Sequence, residues 1–109
     1  MEKIKFNFEN NVLSARIVGD IDHHSARGVR EKIDSVIFDK KPLTVLLDLS
    51  TVDFMDSSGL GLILGRFTVC SEIGAEFKIY KPSRGVKKIL ELAGIERLMK
   101  IVGDDSDEA

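Results

Sequence analysis

The chain has 109 residues, 43% of them hydrophobic and 31% charged, with a formal net charge of −2. That length predicts one domain with a core large enough to fold without staples, and the lone cysteine, Cys70, excludes an internal disulfide. There is no basic patch for nucleic acid, no apolar run as long as a membrane span and no apolar leader at the start, so the expectation is a soluble cytoplasmic protein with neither nucleic acid nor membrane as partner.

In chain order, residues 3–9 (KIKFNFE) alternate Ile4, Phe6 and Phe8 with polar neighbours, the period of a half-buried strand. Asn10-Asn11 supplies a turn, and VLSARIVG alternates again, so the two runs predict a β-hairpin. The loop GDIDHHS precedes an amphipathic helix over 25–38, for which His24 or Ser25 could be the cap, the Ser25 hydroxyl being the better acceptor. Gly28 inside that helix costs about 1 kcal/mol against alanine, and Lys40-Lys41-Pro42 ends it. LTVLLDL (43–49) is nearly continuous in apolar residues and reads as a central strand covered on both faces. A second helix is predicted over 57–72 with Gly74 as its stop, then a strand at 76–80. A third helix opens at Pro82-Ser83 and stops at Gly94, and residues 95–102 read as a last helical turn leading to a short edge segment. This is an α/β pattern: an N-terminal β-hairpin feeding a mixed, mostly parallel sheet of four to five strands, with helices as crossovers. One domain over 1–102 is expected, followed by an acidic tail at 103–109 that reads as disordered; Asp104, Asp105, Asp107 and Glu108 supply its negative charge.

The chemistry-bearing stretch is MDSSGLG (55–61). Serine is a favoured helix cap, and one of Ser57 and Ser58 suffices for that role, with Asp56 helping to start the helix. The other hydroxyl, Ser58, would then lie in the first turn near outward-pointing N–H groups, where a phosphate finds donors but is repelled by Asp56 and, if its loop is close, by Asp22. A plain cap and a modifiable hydroxyl both remain open from the residues alone. On a helical wheel Leu60, Ile63, Leu64 and Phe67 form a core stripe, while Ser58, Leu62, Gly65 and Val69 share the opposite side and form a candidate docking strip. Gly59, Gly61 and Gly65 read as places of close helix packing.

Several chemistries are absent from the sequence. Neither G-x-x-x-x-G-K-[ST], G-x-G-x-x-G nor G-x-S-x-G occurs, so phosphate loops and a hydrolase elbow are not expected. His23-His24 has no third ligand, so no metal is expected and the pair reads as a solvated loop. Asp48 ends the central strand, where a phosphoacceptor could sit, but the acidic pair and lysine of such receivers have no counterpart. Cys70 reads as a packed thiol.

VGDIDHHSA (18–26), LDLSTVDFMDSSGLGLILGR (47–66) and KIYKPSRGVKKILELAGIERL (78–98) together resemble the anti-sigma factor antagonists of the STAS domain family, in particular those of sporulation. The resemblance covers the chain up to about Val102. It implies a STAS-type fold with helices mainly on one face of the sheet, and a binding protein rather than an enzyme. The implied partners are an anti-sigma factor that is also a serine kinase and a serine phosphatase; ATP and magnesium belong to the kinase, and no cofactor is expected here. Motif matching implies phosphorylation at Ser58, with docking through the loop from Gly19 to Ser25 and the exposed side of the second helix. That surface would comprise Asp22, His23, Asp56, Ser57, Ser58, Gly59, Leu62, Gly65 and Val69. Gly28 departs from related helices, which carry a better helix former there. A second reading is a STAS subunit of a larger stress-signalling scaffold, where such a domain usually has an extra N-terminal domain; a third is a hydrolase of a small ester or nucleotide.

Overall fold

A computed structural model describes residues 4–103. The acidic tail residues from Asp104 onward lie outside the described residues. Strands β1 (Ile4–Glu9) and β2 (Val12–Ile17) pair antiparallel, with Glu9 opposite Val12. Asn10 and Asn11 between them both have left-handed backbone, at φ 54° and 65°. That is the geometry of a two-residue turn whose twist matches the hairpin, and asparagine tolerates it best after glycine.

Helix α1 (Ala26–Lys40) ends where Lys41 turns left-handed. Strand β3 (Thr44–Asp48), helix α2 (Ser57–Ile73), strand β4 (Glu76–Tyr80), helix α3 (Arg84–Leu92), a 3₁₀ turn (Ile95–Arg97) and strand β5 (Lys100–Val102) follow. Gly74 stops α2 in the left-handed conformation that a Cβ disfavours.

The sheet order is β1-β2-β3-β4-β5, with every pair after the hairpin parallel. Strands are thus laid down in one direction across the sheet. With right-handed crossovers throughout, successive connections then fall on the same side. The helices cover one face and leave the other open. Leu13, Ala15 and Ile17 of β2, Val45 and Leu47 of β3, and Phe77 and Ile79 of β4 are buried on the covered face. Val29, Ile33 and Ile37 of α1, Ile63 and Cys70 of α2, and Val86 and Leu90 of α3 complete the core. Each fully buried Leu or Ile contributes about 1.5–3 kcal/mol.

This topology corrects two expectations. β3 is not covered on both faces: Leu46 points to the open side and is half-buried. Ile4 of the edge strand β1 is buried as expected, but Phe6 and Phe8 on the same side of it remain 36% and 38% exposed. On the open face Arg16 and Asp48 are cross-strand neighbours and form an ion pair at 3.0 Å. No helix among the described residues is long and apolar enough to cross a membrane.

Candidate functional site

The loops after β2 and β3 are zipped together at the carboxyl end of the sheet. The Ile21 N–H donates to the Phe54 carbonyl at 3.1 Å, and the Asp56 N–H donates to the Ile21 carbonyl at 3.2 Å. The Phe54 N–H donates to the Asp20 carboxylate at 3.2 Å, and the Thr51 hydroxyl to the Ile17 carbonyl at 2.9 Å. Ile21, Val52 and Met55 are buried beneath, so the turn entering α2 is fixed against the loop entering α1.

The turns that lead into α1 and α2 are each organised by an aspartate. Ser25 has near-helical backbone, φ −91° and ψ −25°, and its hydroxyl makes no capping bond. Instead it accepts from the Asp22 N–H at 3.1 Å, while the Asp22 carboxylate collects the N–H groups of His24 and Ser25 at 2.9 and 3.0 Å. The Ser25 N–H bond is the largest influence holding the Asp22 carboxyl below its ordinary value. Ser25 thus holds the cap position without the expected side-chain capping bond, and Asp22 orders the turn that precedes the helix.

At α2 the cap is Asp56, in extended backbone, and its Oδ1 accepts from the Ser58 N–H at 2.8 Å. The Gly59 and Leu60 N–H groups donate to the Asp56 carbonyl at 2.9 and 3.4 Å. Neither Ser57 nor Ser58 is a cap, contrary to the expectation that one of them would be. Both hydroxyls are without hydrogen-bond partners among the described residues. Of the first-turn donors that a phosphate on Ser58 was expected to meet, those of Ser58, Gly59 and Leu60 are taken by Asp56, and the Ser57 N–H is left without an acceptor among the described residues. Gly59 is needed by close approach: a Cβ there would lie 2.7 Å from the Cβ of Met55. Gly61 and Gly65 have open space where a Cβ would go, so close packing does not explain them.

The wheel placed α2 one step out of true. Its buried residues are Gly59, Leu62, Ile63, Arg66 and Cys70. Leu62 is 4% exposed and belongs to the core, while Leu64, assigned to the core stripe, is 38% exposed. Val69 is partly buried against the core and Gly65 is half-buried, so the outward strip of Leu62 and Val69 does not exist. The physical reason is that α2 buries a broad face, against both the sheet and α1. Arg66 on that face is 4% exposed and reaches Asp34 of α1, Nε to Oδ1, at 2.9 Å. The contact is an ion pair lacking hydrogen-bond geometry. Burial pushes the Asp34 carboxyl up and the Arg66 guanidinium down, and their mutual attraction opposes both shifts.

Between α1 and α2 lies an open groove of about 780 Å³. His23 and His24 enter it from the loop, Arg27 and Arg30 from α1, and Ser58 and Leu62 from α2. Thus His23, Ser58 and Leu62, each expected at the partner surface, line one cavity. Asp22 and Asp56 turn their carboxylates to backbone donors beside it, Ser57 is exposed at the rim, and Gly59 is buried under Met55. Sequence reasoning passed over His24 as a site residue and over Arg27 and Arg30 altogether. Their i, i+3 spacing on an exposed helix side was visible, but not which element that side would face.

The remaining candidates carry less chemistry. Asp48 is buried; burial, the largest influence, raises its carboxyl, but bonds from the Ser50 hydroxyl and N–H at 2.7 and 2.9 Å, together with Arg16, hold it below its ordinary value. Those bonds and the Arg16 pair occupy it structurally. Cys70 is buried and its thiol is pushed up to about 11 by desolvation, far from a reactive thiolate. Among the described residues no group of three or more His, Cys, Asp and Glu could hold a metal ion.

A family model described as the STAS domain matches residues 3–109. The chain is 32% identical over 103 residues to the anti-sigma F factor antagonist of Paenibacillus polymyxa, across 94% of this chain and 88% of that protein. Among solved structures it is similar to the anti-sigma factor antagonist SpoIIAA in its unphosphorylated form, with a TM-score of 0.78 and 27% identity over 95% of this chain and 91% of the other. It is also similar to the Bacillus cell fate determinant SpoIIAA in the phosphorylated form, with a TM-score of 0.71 and 26% identity over 95% of each chain.

Proposed function

The chain belongs to the STAS domain family, and on that premise we propose that it is an anti-sigma factor antagonist. In this reading it acts in the cytoplasm as a positive regulator of sporulation transcription. It binds an anti-sigma factor that is also a serine kinase, and that binding releases the sigma factor. The kinase, using ATP and magnesium, transfers the γ-phosphoryl group to the Ser58 oxygen; the hydroxyl proton departs and ADP leaves. The phosphorylated protein lets go, and a serine phosphatase returns it to the binding form. The protein is ligand and substrate here, not enzyme.

The observation that carries this reading is the division of labour at the start of α2. Asp56 holds the backbone of the turn, and the Ser58 hydroxyl is left at a groove without a structural bond. A serine that caps nothing can be modified without unpicking the helix. A phosphate carries about −1.5 to −2 charges, so it changes a docking surface by repulsion and desolvation without a change of fold. The likeness of the chain to SpoIIAA in both its unphosphorylated and phosphorylated forms supports that picture.

The test is binding of the unmodified protein to its kinase partner, with Ser58→Ala and Ser58→Asp beside it. Ser58→Ala binds and accepts no phosphate, whereas Ser58→Asp binds poorly. Normal phosphorylation of Ser58→Ala would overturn the site.

A further inference from the structure

The groove beside Ser58 is lined by cations on its far wall. Arg27 and Arg30 project into it from one side of α1, one turn apart, and the two loop histidines flank them. No carboxylate is among the residues lining it. Arg27 has a loose partner, Glu31 at 3.5 Å with both side chains exposed, a pairing of little strength. Arg30 makes no direct ion pair among the described residues; its charge is felt at Asp34 and Arg66.

The near wall offers a phosphate few donors, with only the Ser57 N–H of the first turn left unpaired among the described residues. Asp56 uses the N–H of Ser58 at 2.8 Å, and its carbonyl uses those of Gly59 and Leu60. Its carboxylate also stands next to any charge placed on Ser58 and repels it. Asp22, in the facing loop, is turned to its own backbone donors. A dianion on Ser58 is thus pushed from α2 and drawn toward α1.

We infer that phosphate on Ser58 is received in cis by Arg27 and Arg30, so that the modified protein closes its own groove. The inference rests on Ser58 being the modified residue. Guanidinium forks match phosphate oxygens two at a time, and the pair would bridge α2 to α1 at a surface that is otherwise open. Phosphorylation then acts twice: it adds repulsion, and it occupies the arginines and the groove that a partner would need.

The test does not need a kinase. Phosphoserine is incorporated at position 58 during synthesis, and the second ionisation of its phosphate is followed by phosphorus NMR, in this protein and in the same protein carrying R27Q/R30Q. Asp22, Asp56, His23 and His24 are common to both samples. The expected result is an ionisation about one unit lower with the arginines present, together with displaced side-chain N–H resonances of Arg27 and Arg30 on phosphorylation. Both arginines are exposed, so the unmodified double variant keeps its unfolding midpoint. Equal ionisation in the two backgrounds, with the arginine resonances unmoved, overturns the inference and leaves the proposed function standing. A kinase that leaves Ser58 unmodified defeats the proposed function and does not alter this titration.

Discussion

Helices α2 and α3 both open on a serine-bearing turn, and the two turns are built differently. At α3 the serine is the cap. Ser83 accepts from the Val86 N–H at 3.4 Å, and its hydroxyl donates to the Val52 carbonyl at 2.6 Å, tying the helix to the loop after β3. At α2 an aspartate is the cap and the serines have no such duty. The lesson is that a hydroxyl is available for chemistry only when something else holds the backbone it sits on. Phosphorylating Ser83 would cost its helix a cap and a tertiary anchor. Phosphorylating Ser58 costs neither.

The largest effect that sharpens this contrast is on binding. Ser58→Asp is expected to weaken association with the anti-sigma partner by a hundredfold or more, equivalent to roughly 3 kcal/mol, with an unchanged unfolding midpoint; titration calorimetry and thermal unfolding read the two halves. Gly59→Ala drives a Cβ into Met55 and is expected to destabilise by about 1–3 kcal/mol in denaturant unfolding. Ser83→Ala and Asp56→Ala each remove a cap and are expected to cost about 1 kcal/mol. Ser83→Ala is the costlier, because the Val52 carbonyl also loses its donor. The smallest effect is at Ser58→Ala, within about 0.5 kcal/mol of the parent. A loss at Ser58→Ala as large as that at Ser83→Ala would erase the distinction between the two turns.

Much of the frame was legible before the structure. The hairpin, the 76–80 strand and the span of α2 follow from period-two alternation, two asparagines and the stop at Gly74. What failed did so for reasons outside any short window. The capping serines follow residue preference, but a capping side chain needs extended backbone: Ser25 is near-helical, and at α2 the extended residue is Asp56, directly before Ser57. The wheel failed because Leu60, Leu62, Ile63, Leu64, Phe67 and Val69 surround most of α2, so apolar spacing alone could not choose its buried side. Arg66 would have chosen it, but a buried arginine makes sense only with Asp34 on another helix. β3 read as doubly covered because the sheet's single helix layer is set by strand order, not by the strand's own residues. Arg27 and Arg30 join the site only through the packing of α1 on α2.

The central claim is that Ser58 is the switch and Ser57 is not. Intact-mass analysis after incubation with the anti-sigma kinase, ATP and magnesium, followed by mapping of the modified residue, tests it most directly. One phosphoryl group on Ser58, retained in Ser57→Ala and lost in Ser58→Ala, is the predicted result. A phosphoryl group on Ser57, or one that persists in Ser58→Ala, contradicts it.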